Sequence, residues 1–374
     1  MKLFKSLLIA PATLGLLAPF SAYAGEANLK DISEYSNLEN FEFTNSSAID
    51  DSTPSTLLAG GEGLVDDYDG GFSETTVAEF SVDATLGSID GDQASEATVF
   101  EYQYNIGLTT TLPGGTLGVA IDSGSDTAAT NDNPLAFDTG DELKVDGVTY
   151  SFDVANVSMV VGNDTDISAS FTGACSYSAF TDYMGDCGTG NTIGKGGNGV
   201  TATGSYAFDS GFSLAAGLSS TVDTADGILT KEGSDSYGIE AAYTADSWGL
   251  AVAYVSDDNA ASAETTSWGI NGTYTFDETS FPSVSVGYET QETSGTDSSG
   301  YFIGLTWDEV GAGSVSVGAA TAGNFADNAT EYMIYEASYS YNVNDSLTIT
   351  PGVYIKETSG DDLTGIIVKS SFSF

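Results

Sequence analysis

A chain of 374 residues that carries 54 acidic side chains, eight lysines, no arginine and no histidine has a narrow chemical repertoire. Histidine is the residue most used as general base and metal ligand, so its absence removes Ser-His-Asp triads, Cys-His pairs and most zinc sites. Any catalysis would rest on carboxylates. Paired carboxylates recur, but 54 acids supply such pairs by chance, and no spacing singles out glycosidase-like chemistry. The acidic runs "DDYDGG" at 66–71 and "NDTD" at 163–166 offer the clustered oxygens that hard cations want. Neither fits the calcium loop with glycine at its sixth position and glutamate at its twelfth. We therefore expect no catalytic residue, no metal site and no cofactor.

Two cysteines, Cys175 and Cys187, stand close together in "ACSYSAFTDYMGDC". In an oxidising compartment, that even count at close spacing suggests one disulfide closing a short loop. The N-terminus points to such a compartment. Residues 1–24 have Lys2 and Lys5, then an apolar stretch broken by Pro11 and Pro19, then Ala22-Tyr23-Ala24, the small-x-small pattern of a secretory cleavage site. Removal after Ala24 leaves six lysines against 54 acids, a formal charge of 6 − 54 = −48. A chain so acidic has no basic footprint for nucleic acid, which is excluded as a partner.

The elements that must carry these side chains are strands. After residue 24 no stretch approaches the ~20 consecutive apolar residues of a membrane helix. Instead the chain alternates. In "FEYQYNIGLT", Phe100, Tyr102, Tyr104, Ile106 and Leu108 leave one face, while Glu101, Gln103, Asn105 and Gly107 leave the other. The pattern returns with Trp248, Leu250, Val252 and Tyr254 opposite Gly249, Ala251 and Ala253. It returns again with Tyr335, Ala337, Tyr339 and Tyr341 opposite Ile334, Glu336, Ser338 and Ser340, and in the closing "LTGIIVKSSFSF". One face is aromatic and aliphatic; the other is mostly Gly, Ala, Ser, Thr and isolated acids. A soluble sandwich usually keeps its wet face well charged, whereas a membrane barrel wears aromatic girdles outside and small polar residues within.

Connection lengths sharpen the reading, because such a barrel alternates short turns on one side with long loops on the other. Counting back from Phe374, the connections near 357–362, 321–330, 291–298, 257–263 and 221–234 read as long, and those near 343–345, 308–312, 277–281, 245–247 and 209–211 as short. Taking 155 to about 162 as one strand preserves parity and gives sixteen strands, with both ends on the short-turn side. The expected fold is all-β: a transmembrane antiparallel up-and-down barrel over 73–374, preceded by an acidic, partly disordered tail over 25–72. The connection at 163–198 becomes the longest. It either folds inward to narrow the channel, with Asp164, Asp166, Asp182, Asp186 and Lys195 as candidate constriction residues, or stays outside as a solvated loop.

On these strand phases the inner face presents Glu79, Asp83, Glu101, Gln103, Asn105, Asp153, Glu240, Asn271, Glu289 and Glu336, with Lys356 and Lys369 as basic exceptions. A mostly acidic wall raises local cation concentration and repels anions, so a cation-preferring pore is expected.

These residues resemble a known family, the cyanobacterial-type outer-membrane porins, related to carbohydrate-selective porins and often labelled iron-uptake porins. The resemblance rests on the signal, on "SETTVAEFSVDATLGSIDGD" followed by "ATVFEYQYNIGLTTTLPGG", on "LKVDGVTYSFDVANVSMVVG", and on the closing "SSFSF". It implies passive passage of small hydrophilic solutes or inorganic ions through a channel set in outer-membrane lipid. It also implies a homotrimer, and a role for Phe372 and Phe374 as the signal read by the barrel-assembly machinery. Many members place an S-layer-homology domain and a coiled coil before the barrel; residues 25–72 are too short for both and show no heptad pattern. The rival reading, an exported acidic structural or adhesive β-protein of the cell surface, accounts for export, charge and glycine content but not for the alternating connections.

Overall fold

The computed structural model describes residues 75–91, 97–125, 142–197, 199–220, 233–259, 264–278 and 280–374. The expected signal peptide, the acidic tail and the "DDYDGG" run lie outside these residues.

Nearly every described segment is extended, as a sequence rich in Tyr, Phe, Val, Ile and Thr dictates. The strands run β1 (Thr76–Asp90), β2 (Ala97–Leu112), β3 (Gly115–Gly124), β4 (Lys144–Val154), β5 (Val157–Asn163), β6 (Val200–Ala207), β7 (Phe212–Ser220) and β8 (Ser234–Thr244). They continue with β9 (Trp248–Asn259), β10 (Thr265–Tyr274), β11 (Ser283–Thr293), β12 (Thr296–Val310), β13 (Gly313–Thr321), β14 (Phe325–Ala326), β15 (Met333–Asn344), β16 (Leu347–Lys356) and β17 (Leu363–Ser373). All belong to one 17-stranded sheet. The two-residue β14 is a bridge from a loop onto Ser298 and Ser299 of β12, which leaves sixteen wall strands. Each pairs antiparallel with its neighbour in sequence, and β1 pairs with both β2 and β17, closing the sheet. The fold is a closed, sixteen-strand, up-and-down barrel. Closure removes the free edge that an open sheet would expose.

The register carries one phase across the seam from β17 through β1 to β2. Asp83 lies opposite Gln103 on β2 and Ser371 on β17, and Thr85 opposite Glu101 and Lys369, so these residues share the inner face. The other face holds Phe100, Ile239 and Trp268, which are 63%, 57% and 54% exposed. Large apolar side chains on that scale are not left facing water, and a hydrocarbon surround accounts for them. Aromatic pairs gather near the short turns: Tyr206 with Phe208, Tyr243 with Trp248, and Tyr274 with Phe276 have ring centroids 4.6–5.0 Å apart. Among the described residues no helix is long and apolar enough to cross a membrane.

The C-terminus joins this belt. Phe374 stacks on Phe80 at 5.9 Å, and the two residues exchange backbone hydrogen bonds of 2.9 and 3.0 Å, so the last residue seals the β1–β17 seam. Phe372 is on the outward face, opposite Val82.

One expected long connection is absent. Residues 291–298 are not a loop: β11 and β12 continue until Thr293 pairs with Thr296. The turn between them, Ser294-Gly295, has φ of 55° and 76°. Two successive positive φ values give the tight hairpin whose twist matches its strands, and glycine at the second position makes it cheap. The polar composition of the stretch concealed a strand extension.

Candidate functional site

The chemistry-bearing part of the barrel is its interior, and the segment between β5 and β6 runs through it. The described residues 164–197 follow Asn163, the last residue of β5, and the wall resumes with β6 at Val200. Asp164 ties the two ends together, since its N–H donates to the Gly199 carbonyl at 2.8 Å and its carboxylate accepts the Gly199 N–H at 2.9 Å. Of the two alternatives for this segment, the inward one is the case.

Apolar side chains explain why it stays there. Tyr177, Phe180, Met184 and Cys187 of the loop pack with Phe302, Ile334, Tyr354, Leu363 and Ile367 of the inner wall in one buried cluster. Ile193 packs on Ala242, Ala251 and Ala253 in a second. Burying a Met or Phe side chain contributes about 1.5–3 kcal/mol, so these few anchors outweigh the ordering of several residues. Glycines on the wall make room. A Cβ on Gly287 would lie 1.8 Å from the Cys187 carbonyl oxygen, and one on Gly217 would lie 2.0 Å from that of Ile167. The loop backbone lies flush on the sheet because those positions have no side chain. Cys175 and Cys187 form the expected disulfide, joining residues 12 apart within the loop.

Polar anchors complete the docking. Glu240 accepts the N–H groups of Thr172 at 2.6 Å and Gly173 at 3.0 Å. Asn271 accepts from the Ala174 N–H at 2.9 Å and donates toward the Asp186 carbonyl and Thr189 hydroxyl. Glu336 accepts four bonds of 2.6–2.9 Å, from the N–H groups of Phe180 and Thr181 and the hydroxyls of Tyr177 and Thr181. Glu289 accepts from the Asn191 N–H at 3.0 Å, the Asn191 amide at 2.7 Å and the Thr192 hydroxyl at 2.9 Å. The Asn324 amide reaches Glu289 at 3.1 Å. Lys195 pairs with Asp257 at 2.8 Å, and Lys356 donates to the Tyr183 hydroxyl at 2.6 Å.

These bonds separate the inner-face residues into two groups. Glu240, Asn271, Glu289 and Glu336 are 1–3% exposed, covered by the loop rather than bathed by lumen fluid. On β1, Asp83 is half-buried, with Lys369 of β17 at 3.8 Å and the Ser371 hydroxyl as a hydrogen-bond partner. Gln103 donates to Asn105 at 3.1 Å, and Glu79 is exposed near the short-turn end. Glu101 occupies the same wall beside Thr85 but is buried.

Of the loop acids, Asp182 feels the charges of both Lys369 on β17 and Glu336 on β15. Burial is the first cause that lifts its carboxyl above the usual range, the Glu336 charge adding and Lys369 opposing. Asp186 is lifted by burial alone. Asp166 is lifted mainly by burial, with the charges of Asp186 and Asp146 adding and the Gly197 N–H opposing. Tyr177 holds its phenol proton firmly, through burial and then the adjacent Glu336 carboxylate.

Alternation puts Ile334 on the inner face, but the inward-facing Phe302, Tyr354, Leu363 and Ile367 were not singled out from the sequence. Large apolar residues on a face otherwise small and polar were the signal, and they are the footprint of the loop. An apolar groove of about 410 Å³ beside Ala337, lined by Ile303, Leu305, Tyr335 and Ile355, is on the outward face.

A closed barrel with an apolar exterior, a polar interior and a loop folded inside is the architecture of transmembrane outer-membrane barrels. No family model and no curated protein matches the sequence. Solved structures share the fold, among them porins and an outer-membrane protein of bacteria. OprB of Pseudomonas putida is 12% identical with TM-score 0.64, over 81% of this chain and 95% of that one. An anion-selective porin from Comamonas acidovorans is 12% identical with TM-score 0.57, over 80% and 99%. OmpT of Vibrio cholerae is 9% identical with TM-score 0.58, over 80% and 97%. At such identities the likeness is one of fold.

Proposed function

We propose that this chain is a porin of the bacterial outer membrane, resembling the cyanobacterial type, that passes small hydrophilic solutes and inorganic ions by passive diffusion and prefers cations. It performs no chemistry on them. The observation that carries the reading is the inward loop within a closed barrel: a segment that lines a lumen has a use only if something passes through the lumen. One barrel of this fold is anion-selective, so the sign of selectivity belongs to side chains and not to architecture. Here the inner side chains favour cations. Lys195 and Lys356 are engaged by Asp257 and Tyr183, while Glu79, Asp83, Asp182 and Asp186 line or face the remaining space with Lys369 among them. Acids concentrated between low-dielectric walls hold a negative potential.

In this reading residues 1–24 are removed after Ala24 during export, 25–72 form a periplasmic tail and 73–374 the barrel. Phe372 and Phe374 serve the barrel-assembly machinery, and three copies associate in the membrane. Purified protein in a planar bilayer under a potassium chloride gradient tests the core of the proposal. A reversal potential of cation-selective sign is expected; anion preference would overturn the selectivity, and absence of conductance would overturn the channel.

A further inference from the structure

We propose that Glu240, Glu289 and Glu336 are positioning residues for permeation: their carboxylates hold the inward loop and so fix the bore, while contributing little to the choice between cations and anions. The inference deepens the channel reading and rests on it.

Three observations converge. First, these carboxylates are 1–3% exposed, and a buried charge is tolerated only when its oxygens are satisfied by donors. The donors come chiefly from the loop, with Asn324 adding one to Glu289. Second, they include backbone N–H groups of successive residues, Thr172 with Gly173 and Phe180 with Thr181. Successive amides turned toward one anion form a concave nest. In this barrel the loop makes the nest and the wall supplies the anion, so the wall recognises the path of the loop backbone. Third, the anchors are spread along the loop at 172–173, 180–181 and 191–192, and the Cys175–Cys187 disulfide links the stretches that hold them. The loop is fixed as an arch at three points. A carboxylate whose oxygens are occupied by amides and shielded by protein is remote from a passing ion, whereas Asp83 and Asp182 are not covered in this way.

The substitution Glu336→Gln keeps the side-chain shape but turns an NH2 group toward N–H donors, so at least one nest amide is released. Hydrogen exchange on the folded barrel in detergent reads this directly: the amides of Phe180 and Thr181 should exchange about tenfold faster or more than in the wild type, the scale of losing charge-assisted hydrogen bonds. In bilayers the variant should show altered or multiple conductance levels with an unchanged reversal potential. Asp182→Asn should do the reverse, moving the reversal potential toward zero with exchange at Phe180 and Thr181 unaltered. Glu336→Asp, which retains two acceptor oxygens, should recover part of the protection that Gln loses. Unchanged exchange in Glu336→Gln, or a reversal potential displaced as far as in Asp182→Asn, overturns the positioning role. A wild type that conducts nothing overturns the channel reading instead, so the two failures are distinguishable.

Discussion

On the wall that runs from β8 to β15, Glu240, Glu289 and Glu336 lie beneath the loop, each accepting hydrogen bonds from its amides or side chains. Elsewhere on the inner face, Asp83 of β1 meets Lys369 and Ser371 of the neighbouring β17, and among the described residues the loop donates no hydrogen bond to it. Both sets of acids follow from the same alternation and point into the same barrel. What separates them is the loop, which covers one set and uses its carboxylates as anchors while leaving the other uncovered. Residue type and strand phase place a charge; the cover over it decides what the charge does.

Removing the apolar contact beneath the loop should have the largest effect. Phe180 is 4% exposed, with its ring against Gly352. Phe180→Ala should weaken loop docking by about 3–5 kcal/mol, the usual cost of emptying a buried aromatic site. The loop should become protease-sensitive while the heat stability of the barrel in detergent changes little, since sixteen paired strands do not depend on it. A loop as resistant as in the wild type would mean that the apolar anchor is dispensable.

Opening the Cys175–Cys187 bridge by paired serine substitution should come next. Closing a loop of this size contributes ~3 kcal/mol in the chain-entropy view. The expected result is a loop that docks more loosely, seen as noisier single-channel current. Quiet current identical to the wild type would argue that the wall anchors alone are sufficient.

Two glycines on the inner face then make a matched pair. Gly287 is under the loop and Gly107 on the open wall, where the nearest atom to an added Cβ is Glu79 Cβ at 3.9 Å. Gly287→Ala should cost about 1–3 kcal/mol through overpacking and displace the Cys187 segment. Gly107→Ala should be silent. Equal effects at both, read by proteolysis of the loop, would erase the distinction between the walls.

Much of this architecture is legible from residue spacing. Strand phase, sixteen-fold count, end placement and the disulfide follow from alternation, loop parity and two cysteines. The tight turn at Ser294-Gly295 was hidden because its flanks, Gln291-Glu292-Thr293 and Thr296-Asp297-Ser298, are polar enough to pass for loop. The docking of 164–197 was harder still. Its anchors are carboxylates accepting backbone amides, and a backbone amide has no sequence signature. Only the inward Ile334, Tyr354 and Ile367, out of keeping with their small neighbours, pointed to something packed inside. The sequence places Glu336 on the inner face but does not reveal that the loop covers it.

The smallest expected effect is also the most selective, because pH addresses loop charges without altering packing. Asp166, Asp182 and Asp186 are all raised above the ordinary carboxylate range, burial being the first cause in each. They bind protons before the freely solvated acids of the outer loops as pH falls from neutrality. An acid with a raised folded-state pKa favours the docked state when protonated, and that contribution is lost as pH rises through the raised value. Mild acidification should therefore reduce cation preference while leaving the loop docked. Reversal potentials recorded stepwise from neutral to mildly acid pH should drift toward zero while exchange at the Phe180 and Thr181 amides stays slow. If loop protection were lost first, with selectivity intact, then the anchors would be the more readily titrated set and the assignment of roles to the two walls would have to be exchanged.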